Sequence, residues 1–314
     1  MASDELCVYL GKSLGSYGFG DGHPFNTQRH EIFRERLIER GLDQHVHICT
    51  PVTAERAEIE RFHTPEYVQR VITQSESGTG FLDYGDTPAF PGVFEAAATV
   101  VGSVLDGIDR IMQGKCRAVF VPIAGLHHAR HDRAGGFCVF NDIGVAIETL
   151  RHFYGLRRVA YVDIDAHHGD GVFYSFEDDP DLLFADIHQD GHTLYPGTGD
   201  ASETGRGAAQ GTKLNIPMPP HADDALFLKA WERVETYLER GRPEFVVMQA
   251  GADSIHGDPI TAMDYSPEAH RYAAERLREI AGRHCQGRLL ATGGGGYNLE
   301  NIAEGWTEVV DALS

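Results

Sequence analysis

The sequence predicts an α/β fold, a central parallel β-sheet with helices on both faces. Two observations carry this reading. Short apolar runs alternate along the chain with longer amphipathic stretches, the strand–helix–strand order of a parallel sheet. Polar residues and glycines cluster just behind those runs, where open α/β sheets hold their ligands. At 314 residues and 42% apolar composition one large core is feasible. No repeat, low-complexity tract or Pro/Ser-rich linker divides the chain, so 1–314 reads as one domain.

Five runs read as buried strands: "RAVFVPIAG" (117–125), "RVAYVDID" (158–165), "LLFADIH" (182–188), "FVVMQAG" (245–251) and "RLLATGGGG" (288–296). Each is apolar and ends at Gly or polar residues. Between them lie helical patterns. Over 223–241, Leu226, Phe227, Ala230, Trp231, Val234, Tyr237 and Leu238 form one apolar stripe, stopping at Gly241. Over 266–282, Ser266 stands as N-cap, Pro267 at the first helical position and Gly282 as a stop.

Charge narrows the function classes. Lys and Arg number 27 against 47 Asp and Glu, a formal net charge of −20. Such a surface repels nucleic acid and attracts cationic substrates. No apolar run approaches membrane-spanning length. The N-terminal "MASDELCVYLGKS" has acids where an export signal has a basic region, so a cytoplasmic location is expected. Cys7, Cys49, Cys116, Cys138 and Cys285 are scattered and odd in number, which fits reduced thiols.

The stretch "YVDIDAHHGDG" (161–171) places three aspartates and two histidines behind an apolar run. In an extended chain Asp163, Asp165 and His167 share one face, and carboxylates so crowded repel one another unless a cation sits among them. Asp253, behind the run 245–251, supplies a third ligand. Two carboxylates and one imidazole with open positions suit a catalytic zinc site. The tandem His127-His128 has two spare carboxylates, Asp163 and Asp170, to orient its rings. Such a pair suits proton transfer at an activated water. In "TGGGGYN" (292–298) the glycines let backbone pass close to something, with Tyr297 delivered as an oxyanion donor.

From "GHPFNTQRHEIF" (22–33) and "FHTPEYV" (62–68) through "GLHHA", "GGFCVFND", "VDIDAHHGDGV", "YPGTGD", "GADSIHGDP" and "GGGGYN", the chain resembles the zinc-dependent histone deacetylase, acetoin utilisation and acetylpolyamine amidohydrolase superfamily. The resemblance implies the arginase/deacetylase-like fold and one catalytic Zn2+ on Asp165, His167 and Asp253. It makes His127 and His128 the catalytic pair, Asp163 and Asp170 their partners, and Tyr297 the oxyanion stabiliser. Phe137 and Tyr195 become tunnel walls, the Gly136 carbonyl an acceptor for the substrate amide, and Asp86 a grip on the substrate backbone. It further implies a structural monovalent cation, K+, held by the carbonyls of Asp163, Asp165 and His167 and by a serine, whose place is taken here by Asp186.

The implied activity is hydrolysis of N-acyl amines, with acetyl-lysine in peptides or proteins as substrate and acetylated polyamines as the alternative. Ile260 stands where animal acetylpolyamine hydrolases carry glutamate and lysine deacetylases an apolar residue. Two rivals fare worse. A binuclear ureohydrolase needs an Asp-x-Asp pair at 253, where Ser254 and Ile255 follow. A catalytically silent binding protein would have lost a ligand, a histidine or the tyrosine.

Overall fold

Eight strands form one sheet in the computed structural model, which describes residues 6–20 and 22–314. The first five residues of the stretch read for an export signal lie outside the described residues. The strands are β1 (Leu6–Tyr9), β2 (His47–Cys49), β3 (Ala118–Val121), β4 (Val159–Asp163), β5 (Leu182–Gln189), β6 (Lys213–Met218), β7 (Phe245–Gln249) and β8 (Leu289–Thr292). Their order across the sheet is β2-β1-β3-β8-β7-β4-β5-β6, and every pairing is parallel. Positions 159–163, 182–189, 245–249 and 289–292 are buried without interruption. Both faces of the sheet centre are therefore covered, as consecutive apolar residues require.

The five expected strands are present, but four stop short of their predicted C-terminal ends. β4 ends at Asp163 and β8 at Thr292, because there polar and glycine residues leave the ladder to make other bonds. β1, β2 and β6 were not anticipated; β2 has three residues, two of them exposed. Among the described residues no helix is long and apolar enough to cross a membrane.

The helix Asp224–Gly241 buries Phe227, Ala230, Trp231, Val234 and Leu238, while Leu226 faces solvent and Tyr237 is half-buried. The left-handed cap falls on Arg242, one residue beyond the expected stop. Pro267–His284 runs through Gly282 instead of stopping there. Ser266 precedes that helix without capping it, since its hydroxyl donates to Asp224 Oδ2 at 2.6 Å. Gln28–Glu39 and Pro267–His284 both pack on the C-terminal helix Leu299–Leu313.

Topology positions the site. β3, β8, β7 and β4 lie side by side, and β1 and β5 flank them in opposite directions, the arrangement that opens a crevice beyond the strand ends. The motif loops 125–128, 163–170, 253 and 293–297 follow these same four strands.

Candidate active site

Past Asp163 the chain leaves the sheet, so the shared face of Asp163, Asp165 and His167 does not come from strand pleating as expected. Side chains hold the turn in its place. Asp163 Oδ1 accepts from the Asp165 N–H at 3.0 Å, and Asp165 Oδ1 from the His167 N–H at 2.9 Å. Asp163 thereby turns toward His127, while Asp165 and His167 turn toward Asp253.

Ligand atoms of Asp165, His167 and Asp253 lie within 4.8 Å of one another, all buried. Among the described residues they are the one such group. His167 Nδ1 sits 3.1 Å from Asp165 Oδ1 and 3.0 Å from Asp253 Oδ2. Their remaining oxygens are held from outside. Asp165 Oδ2 accepts from Gln249 Nε2 at 2.7 Å and the Gly295 N–H at 2.8 Å, and Asp253 Oδ1 from the Ala166 N–H at 2.9 Å. Burial opposes charge on His167, but hydrogen bonds to Asp165 and Asp253 outweigh it and hold its pKa up at about 10. Burial and the neighbouring Asp186 and Asp165 carboxylates push Asp163 well above the usual carboxylate range. This is an excess of buried negative charge around one nitrogen and two oxygens, the donor set and field that suit a divalent cation.

Beside this group the two histidines face each other. His127 Nδ1 lies 2.7 Å from Asp163 Oδ2, and His128 Nδ1 lies 2.7 Å from Asp170 Oδ1. The ionised Asp170 only accepts, so His128 Nδ1 carries the hydrogen and its Nε2 turns inward. The two Nε2 atoms are 3.1 Å apart. Burial and then the neighbouring His127 lower His128 to about 4, against the pull of Asp170. Burial works to raise Asp170, but His128 and Arg130 hold it at about 2; Arg130 Nη2 donates to its second oxygen at 2.6 Å.

The glycine loop closes the site over Asp165 and Asp253. A side chain at Gly295 would put its Cβ 2.1 Å from Asp253 Oδ2, so only glycine lets the backbone reach the carboxylates. The loop is held from behind by Arg29, fully buried, whose Nε and Nη2 donate to the carbonyls of Gly296 and Gly294 at 2.9 and 2.6 Å. The Tyr297 ring then stands edge-on to His167 at 6.4 Å and to Phe137 at 5.8 Å. Burial, reinforced by Asp253 and Asp165, raises its pKa well above that of a free phenol, so the hydroxyl stays a donor.

The Histone deacetylase domain family matches residues 23–313. The chain belongs to the histone deacetylase family. It is 35% identical to the acetoin utilization protein AcuC of Bacillus subtilis, over 98% of this chain and 81% of that one. It is 32% identical to histone deacetylase RPD3 of Saccharomyces cerevisiae, over 96% and 70% of the two chains. The crystal structure of the HDA15 HD domain superposes with a TM-score of 0.90 at 26% identity, covering 99% of this chain and 90% of that one.

The remaining positions that the histone deacetylase resemblance selected lie around the approach to this site. Gly136 and Phe137 both adopt positive φ, 50° and 68°. A Cβ at Gly136 would fall 2.5 Å from His128 Cδ2. The strained Phe137 is fixed by Thr87 Oγ1 on its N–H at 3.1 Å and the Tyr17 hydroxyl on its carbonyl at 2.7 Å. Tyr195 stands edge-on to His128 at 5.1 Å across the opening. Asp86 is exposed on the loop 83–87, and its carbonyl takes a bond from His23 Nε2 at 3.2 Å. Ile260 is 38% exposed and does not line the cleft formed by His128, Tyr195 and Asp86.

Asp186 is buried beside Asp163 in the β4–β5 ladder. Its oxygens accept from the Gly169 N–H at 2.9 Å and from His188 Nδ1 at 2.6 Å, while His188 Nε2 donates to the Gly199 carbonyl at 2.9 Å. Acceptors at both ring nitrogens make His188 an imidazolium. The place assigned to a serine ligand thus holds a carboxylate already paired with an internal cation.

Reasoning from sequence missed several supports of the site. Gln249 and Arg29 are two of them, and Asp142 accepts from the Gly125 and Leu126 N–H groups at 2.9 and 2.8 Å, shaping the turn into His127. Gln249 was legible as a polar residue ending an apolar strand. Arg29 carried no local signal.

Proposed function

We propose that this chain, as one catalytic domain over 1–314, is a zinc-dependent deacetylase acting on acetyl-lysine in peptides or proteins in the cytoplasm. The observation that carries it is the joining of the Asp165, His167, Asp253 group to a histidine pair in which each ring has its own carboxylate. When bound by Asp165, His167 and Asp253, Zn2+ supplies Lewis-acid polarisation of the acyl carbonyl and an acidified water.

The chain's own residues do the rest. The acyl-lysine stem passes between Phe137 and Tyr195, and the Gly136 carbonyl accepts its amide N–H. His128, neutral above about pH 4, takes a proton from the attacking water through Nε2. The Tyr297 hydroxyl donates to the oxygen that becomes anionic. His128, once protonated, or His127 with its Nε2 3.1 Å away, gives a proton to the leaving amine. The donors around Asp186 do not fit a monovalent ion in the form the resemblance implies, because His188 already supplies positive charge to that carboxylate.

The net charge of −20 favours acetylated polyamines as the second reading. Against it stands Ile260, apolar at the position where the resemblance gives animal acetylpolyamine hydrolases a glutamate. A panel of acetyl-lysine peptides, acetylputrescine and acetylspermidine, assayed with zinc-loaded enzyme, separates the two. Acetyl-lysine peptides are expected to show the higher specificity constant, and metal analysis one zinc per chain. A large preference for acetylspermidine or acetylputrescine over every peptide overturns the lysine reading.

A further inference from the structure

A cleft of about 380 Å³ opens beside the approach to His128, between the loop 83–87 and the turn 130–133. Its ionic groups are Asp83, Asp86 and Asp170 against Arg130 and Arg133. Most of them are already engaged. Asp83 Oδ1 accepts from the N–H groups of Gly85, Asp86 and Thr87 at 3.0, 3.1 and 3.0 Å, which folds the loop. Asp170 is shared between His128 and Arg130. Asp86 on one wall takes only a long bond from the Thr87 hydroxyl at 3.3 Å beside Asp83, and Arg133 on the other wall is the cation left to meet a ligand.

The turn aims Arg133 at the cleft. Arg130 and Arg133 pair through an antiparallel bridge, which sends both side chains to one side. Arg130 is tied down by Asp170 and lies over the Tyr174 ring at 4.7 Å. Arg133 keeps 41% of its side chain exposed, and its ion pair is with its own neighbour Asp132 at 3.2 Å, itself 64% exposed. An exposed pair of this kind is worth little and yields readily to a better partner. On the opposite wall Tyr84 is 99% exposed at the loop tip, an aromatic ring with nothing to cover. Of the two guanidiniums at the mouth, Arg130 is spent on Asp170, while Arg133 holds only the exposed Asp132. The global field is screened within about 8 Å at physiological salt, so direct contact with a single side chain such as Arg133 decides which ligand group is held.

Resting on the acetyl-lysine reading above, we infer that Arg133 selects peptides with an acidic side chain next to the acyl-lysine, seated between Arg133 and Tyr84. With Asp86 on the substrate backbone, Arg133 reads side-chain charge. A polyamine, which carries only positive charge, gains nothing from Arg133.

The test compares three acetyl-lysine peptides identical except for Glu, Gln or Lys on both sides of the modified residue, with zinc-loaded enzyme. The expected order of kcat/KM is Glu, Gln, Lys, with Glu ahead of Lys by about fivefold or more. Arg133→Gln should flatten the series and Arg133→Glu should invert it, while raising kcat/KM on acetylspermidine. Equal values for the three peptides, or an order that Arg133→Glu leaves unchanged, overturn the inference while the deacetylase reading stands. Hydrolysis of acetylspermidine with no turnover of any peptide overturns the lysine reading and this inference together.

Discussion

Replacing Gly295 by alanine adds one methyl group at the closest approach of backbone to the metal group. Gly295 is not in the left-handed region, so its backbone accepts alanine without strain and the effect is steric. The new Cβ would lie 2.1 Å from Asp253 Oδ2 and 2.8 Å from Asp165 Oδ2. The Asp253 oxygen must therefore retreat by more than about 1 Å to reach ordinary contact distance. Metal sites tolerate shifts of about 0.2 Å in their ligands. Zinc affinity should fall at least as far as on loss of an outer partner, about 10–100-fold or about 1.4–2.7 kcal/mol. The assay is competition for zinc against a chromophoric chelator, with circular dichroism to confirm the fold. Gly282→Ala is the control. It lies inside a helix with nothing within 4 Å of its Cβ position, so it should leave zinc affinity unchanged and add about 0.5–1 kcal/mol of stability. Unchanged zinc affinity in Gly295→Ala would refute the view that this glycine is required by the ligands' positions.

Tyr297→Phe should lower kcat by about 10²–10³-fold with little change in substrate affinity, since the hydroxyl acts on the oxyanion; wild-type turnover contradicts that role. Asp170→Asn removes the carboxylate that raises His128. The His128 pKa should then fall below its value of about 4, so the acid limb of the kcat/KM profile moves to lower pH while the plateau drops with the weaker base; an unshifted limb counts against His128 as the base. Arg29→Met leaves the Gly294 and Gly296 carbonyls without donors, at about 1–3 kcal/mol each. Urea unfolding should show a loss of about 2–6 kcal/mol, and no measurable loss would show that the loop holds itself. His63 is lowered to about 3, by burial first, while in the unfolded chain it titrates near 6.5. Below pH 6.5 the unfolded state binds the proton more readily, so stability should fall from there toward pH 3 and be insensitive to this group above 6.5; His63→Asn should reduce that slope, and an unaltered slope excludes it.

Much of this molecule was legible along the chain, because its signals are local. Consecutive apolar residues marked β3, β4, β5, β7 and β8, and side chains with few chemical uses, Asp165, His167, His127, His128 and Tyr297, stood behind them. What periodicity could not show is where a strand stops. Asp163 closes β4 because its carboxylate bonds the Asp165 N–H, a competition between side chain and ladder that spacing does not reveal. Short edge strands such as β2 owe their pairing to β1 and carry too little pattern of their own. Gly282 shows the opposite failure, a stop signal overridden by the packing of its helix.

Chemistry was therefore written in residue types, and geometry was settled by contacts between distant segments. Arg29 meets Gly294 and Gly296 across more than 260 positions, and no window of sequence contains both. His188 turns Asp186 from a candidate ion ligand into half of a buried pair, because the fold places acceptors at both ring nitrogens. Arg133 and Tyr84 face one cleft only because two loops from different parts of the chain meet beside His128. A residue's reactivity is its own, but its partners are chosen by the sheet order that brings β3, β8, β7 and β4 together.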